Sequence, residues 1–218
     1  MEMMKTMEAR HSVRQYADQP IPAPIRKELD ALVRQCNQAE GLHIQIVYDE
    51  PKCFDSLMAH YGKFSGVKNY IALVGRKSAD LDVKLGYYGE MIALKAQELG
   101  LNTCWVAMTH GKSAAEVRKG EKLVCLLSLG YGENEGVPHR SKPMAQLCRV
   151  DGDIPDWFKT GMEAAMLAPT AMNQQKFCFT LKADGTVEAT CGMGFYTKLD
   201  LGIVKYHFEA VTEKKVNA

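Results

Sequence analysis

The longest periodic segment of the chain carries a packing constraint that few folds meet. Leu85, Tyr88, Ile92, Ala96 and Leu99 recur at helical spacing and predict one long helix, yet Gly86 and Gly89 fall within a single turn of it. An interior glycine costs a helix about 1 kcal/mol relative to alanine. Two in one turn therefore imply a neighbour packed tightly against that face; a functional cleft is the alternative. Leu201-Gly202, in the last helical pattern of the chain, echoes Leu85-Gly86.

The remaining elements follow from periodicity and punctuation. Ile21-Pro22-Ala23-Pro24 breaks a first element, and Ile25, Leu29, Leu32, Val33 and Cys36 mark a helix that Asn37 to Gly41 end. Leu42 to Tyr48 reads as a strand, residues 51–68 are ambiguous, and Asn69 to Gly75 reads as a buried strand. Gly100 stops the long helix, and Leu101 to Met108 is expected to be a strand. Ser113 to Arg118 is expected to be a short helix and Lys122 to Leu129 a buried strand. Gly130 to Lys142 is a glycine-rich, charged loop. A helix with Trp157, Phe158, Met162 and Ala165 inward then precedes a hairpin, Phe177 to Leu181 and Thr186 to Cys191, turning at Asp184-Gly185.

This order suggests an internal comparison. Helix Ile25 to Cys36 precedes strand Leu42 to Tyr48, and helix Ile154 to Leu167 precedes strand Phe177 to Leu181, so the second half reads as a shorter, diverged copy of the first.

Charge excludes some classes of partner. The 218 residues hold 27 basic and 26 acidic side chains, for a net charge of +1. No general attraction to nucleic acid or to a membrane surface follows, and any anion site must be local. No stretch approaches the ~20 apolar residues of a membrane span, and the first residues lack the apolar core of a signal peptide. The expectation is a cytoplasmic protein acting on a small-molecule substrate. The seven cysteines form no C-x-x-C pair, and no histidine pair has metal spacing, so no metal site is expected. Reduced, mostly buried thiols are expected, with Cys53 and Cys148 in more polar surroundings.

The local anion candidate is Arg10-His11-Ser12-Val13-Arg14. In a helix, Arg10 and Arg14 would lie one turn apart on one face with Ser12 close by. A guanidinium fork and a short hydroxyl donor suit phosphate. The competing reading is a solvated first helical turn.

Three segments together resemble the flavin-dependent nitroreductase family. Ala9 to Tyr16 (ARHSVRQY) is similar to its opening R-[RH]-S-x-R-x-[FY] motif. Ala96 to Trp105 (AQELGLNTCW) is similar to A-x-E-L-G-L-G-[ST]-C-W, and Ala168 to Phe177 (APTAMNQQKF) to A-P-S-x-x-N-x-Q-P-W. In that family the asparagine motif follows the arginine motif closely, but here Gln35 to Glu40 does not match it. The asparagine motif stands in the second half instead, which lacks the arginine motif. The chain thus resembles the TM nitroreductase subgroup, two nitroreductase-like units fused. The resemblance implies an α+β, nitroreductase-like fold of mixed, mainly antiparallel sheets flanked by helices. It implies halves at 1–143 and 144–218 making one FMN-binding unit, either a monomeric pseudo-dimer or a homodimer.

The resemblance also implies the residues. FMN phosphate would meet Arg10 and Ser12 with a cation from Arg140 or Lys142, and His11 would reach the ribityl chain or stay on the surface. Arg14 would face the flavin's N1/O2 edge, where positive charge favours reduced flavin. Backbone N–H groups of Ala107, Met108 and Thr109 would face N5 and O4, while Pro169, Thr170, Asn173 and Gln175 would close the other side. The plain alternative for Thr170 and Asn173 is a turn after a helix. Tyr61, Tyr87 and Tyr88 are candidates to cover the ring, though such aromatics are more often core. The implied activity is ping-pong electron transfer from NADH or NADPH to nitroaromatics or quinones, with no side-chain nucleophile or acid–base pair required. The alternatives are a flavin store or sensor, and a fold that has lost its flavin. The fingerprints G-x-x-x-x-G-K-[ST] and G-x-G-x-x-G are both missing, which disfavours a P-loop or Rossmann enzyme.

Overall fold

In a computed structural model, which describes residues 2–217, the chain runs through α1 (Glu2–Ala9), α2 (Ala23–Glu40), β1 (Gln45–Val47), α3 (Leu57–Tyr61), β2 (Asn69–Arg76), α4 (Leu81–Glu98), β3 (Asn102–Val106), β4 (Glu121–Gly130), β5 (Cys148–Val150), α5 (Asp156–Leu167), β6 (Phe177–Leu181), β7 (Val187–Cys191), α6 (Thr197–Thr212) and β8 (Val216–Asn217). The contacts gather into two units. The β1–β4 unit holds Arg10–Leu81 and Ile92–Pro138; the β5–β8 unit holds the described residues up to Ala9, Asp82–Met91 and those from His139 onward. Contacts therefore group the chain otherwise than in the sequence halves 1–143 and 144–218, since α1 and part of α4 go with the C-terminal segment.

Each unit has its own four-stranded sheet. In the β1–β4 unit the order is β1-β2-β4-β3 and every pair is antiparallel. Residues Asn69–Gly75 of β2 are all buried, as the unbroken apolar run requires of a central strand covered on both faces. One side of the core is an aromatic and aliphatic cluster that includes Val13, Tyr16, Phe54, Phe64, Tyr70, Val106 and Leu126. In the β5–β8 unit the order is β5-β6-β7-β8, with β6–β7 the expected antiparallel hairpin and both outer pairs parallel. Phe158, Phe179 and Phe208 form its centre, the last two rings stacked at 5.0 Å. The α+β fold, with antiparallel and mixed sheets, is the one expected.

Four expectations fail locally, each for a hydrogen-bonding or packing reason. Residues Arg10 to Arg14 are not helical: α1 stops at Ala9, Ser12 bridges Thr103, and Val13 N donates to Thr103 O at 3.1 Å. The chain is thus drawn out beside β3, with β-branched Val13 fully buried. Ser113 to Arg118 is not a helix, because its amides are taken by side chains. Ala114 N donates to the Tyr70 hydroxyl, Glu116 N to Gln45 Oε1 and Arg118 N to Glu121 Oε2, so no helical ladder forms. The strand expected from Leu42 is cut to Gln45–Val47, since the Asn37 side chain pairs with both backbone groups of Ile44. Cys53 lies in the apolar core at 0% exposure rather than in polar surroundings. All seven cysteines are free.

For Gly86 the glycine constraint is met within the β5–β8 unit. A Cβ placed on Gly86 of α4 would lie 2.0 Å from the carbonyl oxygen of Leu199 and 3.2 Å from Gly202 Cα. One placed on Gly202 of α6 would lie 2.0 Å from the carbonyl oxygen of Val83. The contacts are reciprocal: each glycine meets the carbonyl three positions before the other. Backbone touches backbone here, and neither chain can retreat as a flexible side chain would. Around this crossing, Tyr87 donates to Glu209 at 3.0 Å, and His207 Nε2 lies 3.0 Å from Glu90 Oε1. His207 Nδ1 donates to the carbonyl of Ala164 at 2.9 Å, and both His207 and Glu90 are fully buried.

Gly86→Ala and Gly202→Ala are each expected to lower the unfolding free energy by about 1–3 kcal/mol or more. Gly192→Ala, where the nearest atom is Lys176 Cβ at 3.8 Å, should change it by less than about 0.5 kcal/mol. Urea denaturation of the three variants checks the contrast.

Candidate functional site

In the β1–β4 unit, the arginine motif lies beside β3, where Ser12 bridges Thr103 next to the buried Cys104. Burial at 1% exposure pushes the Cys104 thiol up from its ordinary value, while Arg14, the Ser12 hydroxyl beside it and Arg10 pull it down. Arg10 itself is only 4% exposed, which overturns the solvated-turn reading. Arg14 is exposed, with its guanidinium 5.9 Å from the centre of the Phe64 ring. His11 Nδ1 donates to the carbonyl of Glu135 at 3.0 Å. The same loop closes over the motif at Gly136, whose left-handed φ of 67° leaves a Cβ only 2.9 Å from Ser12 O.

Tyr16, the last residue of the motif, anchors the segment. Its buried hydroxyl lies 2.9 Å from the carbonyl of Val13 and 2.8 Å from Ser128 Oγ. Burial pushes the Tyr16 phenol well above its ordinary range.

β3 ends at Val106, and the next three residues leave the ladder. Among the described residues, the amides of Ala107, Met108 and Thr109 donate to no protein acceptor. Met108 is 68% exposed, and Thr109 abuts the end of α3 at Gly62. Tyr61 on that helix is exposed as well. Tyr87 and Tyr88 are instead a packed edge-to-face pair on α4.

In the β5–β8 unit, the other motif residues form one strapped loop. Pro169 stops α5, and Met172, Asn173 and Gln175 all take left-handed φ angles of 51°, 53° and 46°. Left-handed non-glycine residues cost of order 1–3 kcal/mol each and persist where the surroundings force them. Here the force comes from hydrogen bonds. Buried Gln175 donates from Nε2 to Arg140 O and to Asn173 Oδ1, both at 2.9 Å, and accepts from Lys142 N at 2.8 Å. Asn173 Nδ2 donates to Arg140 O at 3.0 Å, and Gln175 N donates to Thr170 Oγ1 at 3.1 Å. Lys142 Nζ donates to the carbonyls of Gln174 and Gln175 at 2.7 and 3.2 Å. Lys142 and Gln175 thus brace the loop from inside, while Arg140 and Asn173 are exposed.

Sequence reasoning missed two residues beneath this loop. Asp200 of α6 is 4% exposed; its Oδ1 accepts from Ala171 N at 2.9 Å and its Oδ2 from Gln174 Nε2 at 2.8 Å. Burial raises the Asp200 carboxyl to about 6, against the pull of these two donors. An aspartate in the first turn of a helix reads as a dipole partner, so nothing in the sequence tied it to Ala171. Gln174 was the unremarked residue between two motif positions. Among the described residues no group of three or more His, Cys, Asp or Glu is placed to hold a metal, and no helix is long and apolar enough to cross a membrane.

The family model described as "Putative TM nitroreductase" matches residues 2–212. The chain belongs to this family. Solved structures share the fold. A "putative nitroreductase" of Thermotoga maritima superposes with a TM-score of 0.71 at 20% identity, covering 99% of this chain and 87% of that one. A "putative nitroreductase in complex with FMN" of Desulfovibrio desulfuricans gives 0.54 at 15% identity, covering 71% and 99%. A "Putative NADH dehydrogenase/NAD(P)H nitroreductase" of Bacteroides thetaiotaomicron gives 0.53 at 17%, covering 67% and 96%. No curated protein matches. Within the TM nitroreductase family assignment, the arginine and asparagine motifs are both inside the matched span.

Asp200 makes the stability of this TM nitroreductase depend on pH in a defined direction. An unfolded aspartate loses its proton near 3.8, and this one near 6. The folded protein therefore holds the proton more tightly, and stability falls as pH rises from about 4 to about 6. Asp200→Asn should abolish that component, so wild type should lose on the order of 3 kcal/mol relative to the variant across the window. Paired denaturation curves at pH 4 and pH 7 measure it.

Proposed function

We propose that this chain is an FMN-dependent oxidoreductase that takes electrons from NADH or NADPH and passes them to small acceptors such as nitroaromatics or quinones. The observation that carries the reading is the arginine motif drawn out beside β3, with Ser12 bridging Thr103 and Arg10 buried, in a chain of the TM nitroreductase family. The FMN named with the Desulfovibrio structure, and the NAD(P)H in the Bacteroides description, support it. When bound, FMN supplies the electron-accepting and electron-donating chemistry.

The protein's own residues bind and orient. Two guanidinium groups and a hydroxyl suit a phosphate dianion, so Arg10 and Ser12 are assigned to the phosphate and Arg14 to the anionic edge of the ring. The open amides of Ala107, Met108 and Thr109 are assigned to the ring's acceptor edge. Pro169, Thr170 and Asn173 are assigned to direct contact with the cofactor. Lys142 and Gln175 act by bracing the loop that carries them, and Arg140 supplies its exposed cation. His11 holds the Glu135 loop over the motif. We also read residues 1–143 and 144–218 as diverged copies. The reciprocal contact of Gly86 and Gly202 supports this, since equal contacts in both directions are what a two-fold relation between copies produces.

Purified protein is expected to be yellow and to release FMN on denaturation. Arg10→Lys and Ser12→Ala should each weaken FMN binding by about tenfold or more, given that a charge-assisted hydrogen bond contributes about 1.5–3 kcal/mol. Fluorescence titration of the FMN-stripped protein measures this. Oxidation of NADH or NADPH with a quinone present should follow. Bound FMN with no such turnover would assign storage or sensing instead. A colourless protein that ignores added FMN would refute the flavin reading.

A further inference from the structure

We propose that Asp200 is the positioning residue of the loop that carries Thr170 and Asn173, its two carboxylate oxygens fixing the left-handed tip in the form that meets the cofactor. The proposal rests on the flavin reading for the identity of the ligand, but its geometry is independent of it. Met172 and Asn173 have positive φ and are exposed, Met172 at 83%. An exposed strained tip relaxes unless it is held from below. Asp200 holds it at both edges: Ala171 donates to Oδ1 just before the strained pair, and Gln174 donates to Oδ2 just after it.

The carboxylate is suited to this and to little else. Filling the space beneath the loop would need only an apolar side chain, with no cost of desolvating a charge. A carboxylate there offers two acceptors to two divergent donors. Gln174 also donates from the same Nε2 to Phe195 O at 2.8 Å, which ties the tip to the residues leading into α6. Gln175 clamps the far side through Arg140 and Lys142.

The test compares wild type with Asp200→Asn, Asp200→Ala and the polarity-reversed pair Asp200→Asn with Gln174→Glu. Asp200→Asn sets an amide against the Gln174 amide, and the pair restores one hydrogen bond in the opposite sense. FMN affinity at pH 7 is expected to fall at least tenfold in both single variants and to recover in part in the pair, which restores the link between positions 174 and 200 but not the donation to Phe195 O. The melting temperature of Asp200→Asn should hold or rise at pH 7, a combination that general damage to the fold does not produce. Amide exchange of FMN-free protein supplies the second readout: Ala171 should exchange at least tenfold faster in Asp200→Ala. Wild-type affinity in Asp200→Asn, or loss of affinity that tracks loss of melting temperature across all variants, would overturn the proposal. If wild type binds no FMN, the flavin reading fails, and the exchange rates alone decide. Faster exchange at Ala171 keeps Asp200 as the loop's positioning residue, and unchanged exchange refutes it.

Discussion

The crossing of α4 and α6 at Gly86 and Gly202 is the contact on which the β5–β8 unit depends. Two backbones meet there without intervening side chains, and a helix interior tolerates that only where Cβ is missing. Everything polar in that helix pair relies on the resulting approach. His207 reaches Glu90 only because the axes are close, and the Tyr87 hydroxyl reaches Glu209 for the same reason. A fully buried histidine–glutamate pair leaves no room for an unpaired charge, so a helix shift that separates them would carry a large desolvation cost. The close approach and the buried pair thus enforce one another.

The same helix carries that precision to the candidate site. Asp200 stands two residues before Gly202, so the close packing that seats α6 also seats the carboxylate under Ala171 and Gln174. The strained loop is then held from two directions, by Asp200 and by Gln175. Neither clamp is a regular secondary-structure bond. In the β1–β4 unit, Tyr16 plays the comparable part for Arg10 to Arg14, closing its hydroxyl onto Val13 and Ser128 while Val13 and Ser12 engage Thr103. In both places a candidate site segment of irregular backbone is held by buried side-chain hydrogen bonds.

Much of the architecture was legible in the order of residues. The apolar run at Asn69, the hairpin at Asp184-Gly185 and the periodicities of α2, α4 and α5 all stand as read. So does the demand for a close neighbour at Gly86. The misses share a cause. Ser113 to Arg118 has acceptable helical composition, but Tyr70 and Gln45 capture two of its amides from far along the chain, and Glu121 takes a third locally. Arg10 to Arg14 follows a helix and looks like its continuation until Thr103 takes the Val13 amide. Local propensity is weak enough that one or two distant hydrogen bonds redirect it.

By itself the sequence determined where most elements run and the family, because those are properties of residue type and spacing. Only the tertiary structure decided how the residues are held. It laid the Arg10 to Arg14 segment beside β3, turned Lys142 and Gln175 inward as braces, and put Asp200 beneath the loop. Those outcomes depend on donors and acceptors brought together from separate segments, and hydrogen bonds of that range leave no periodic trace in the chain.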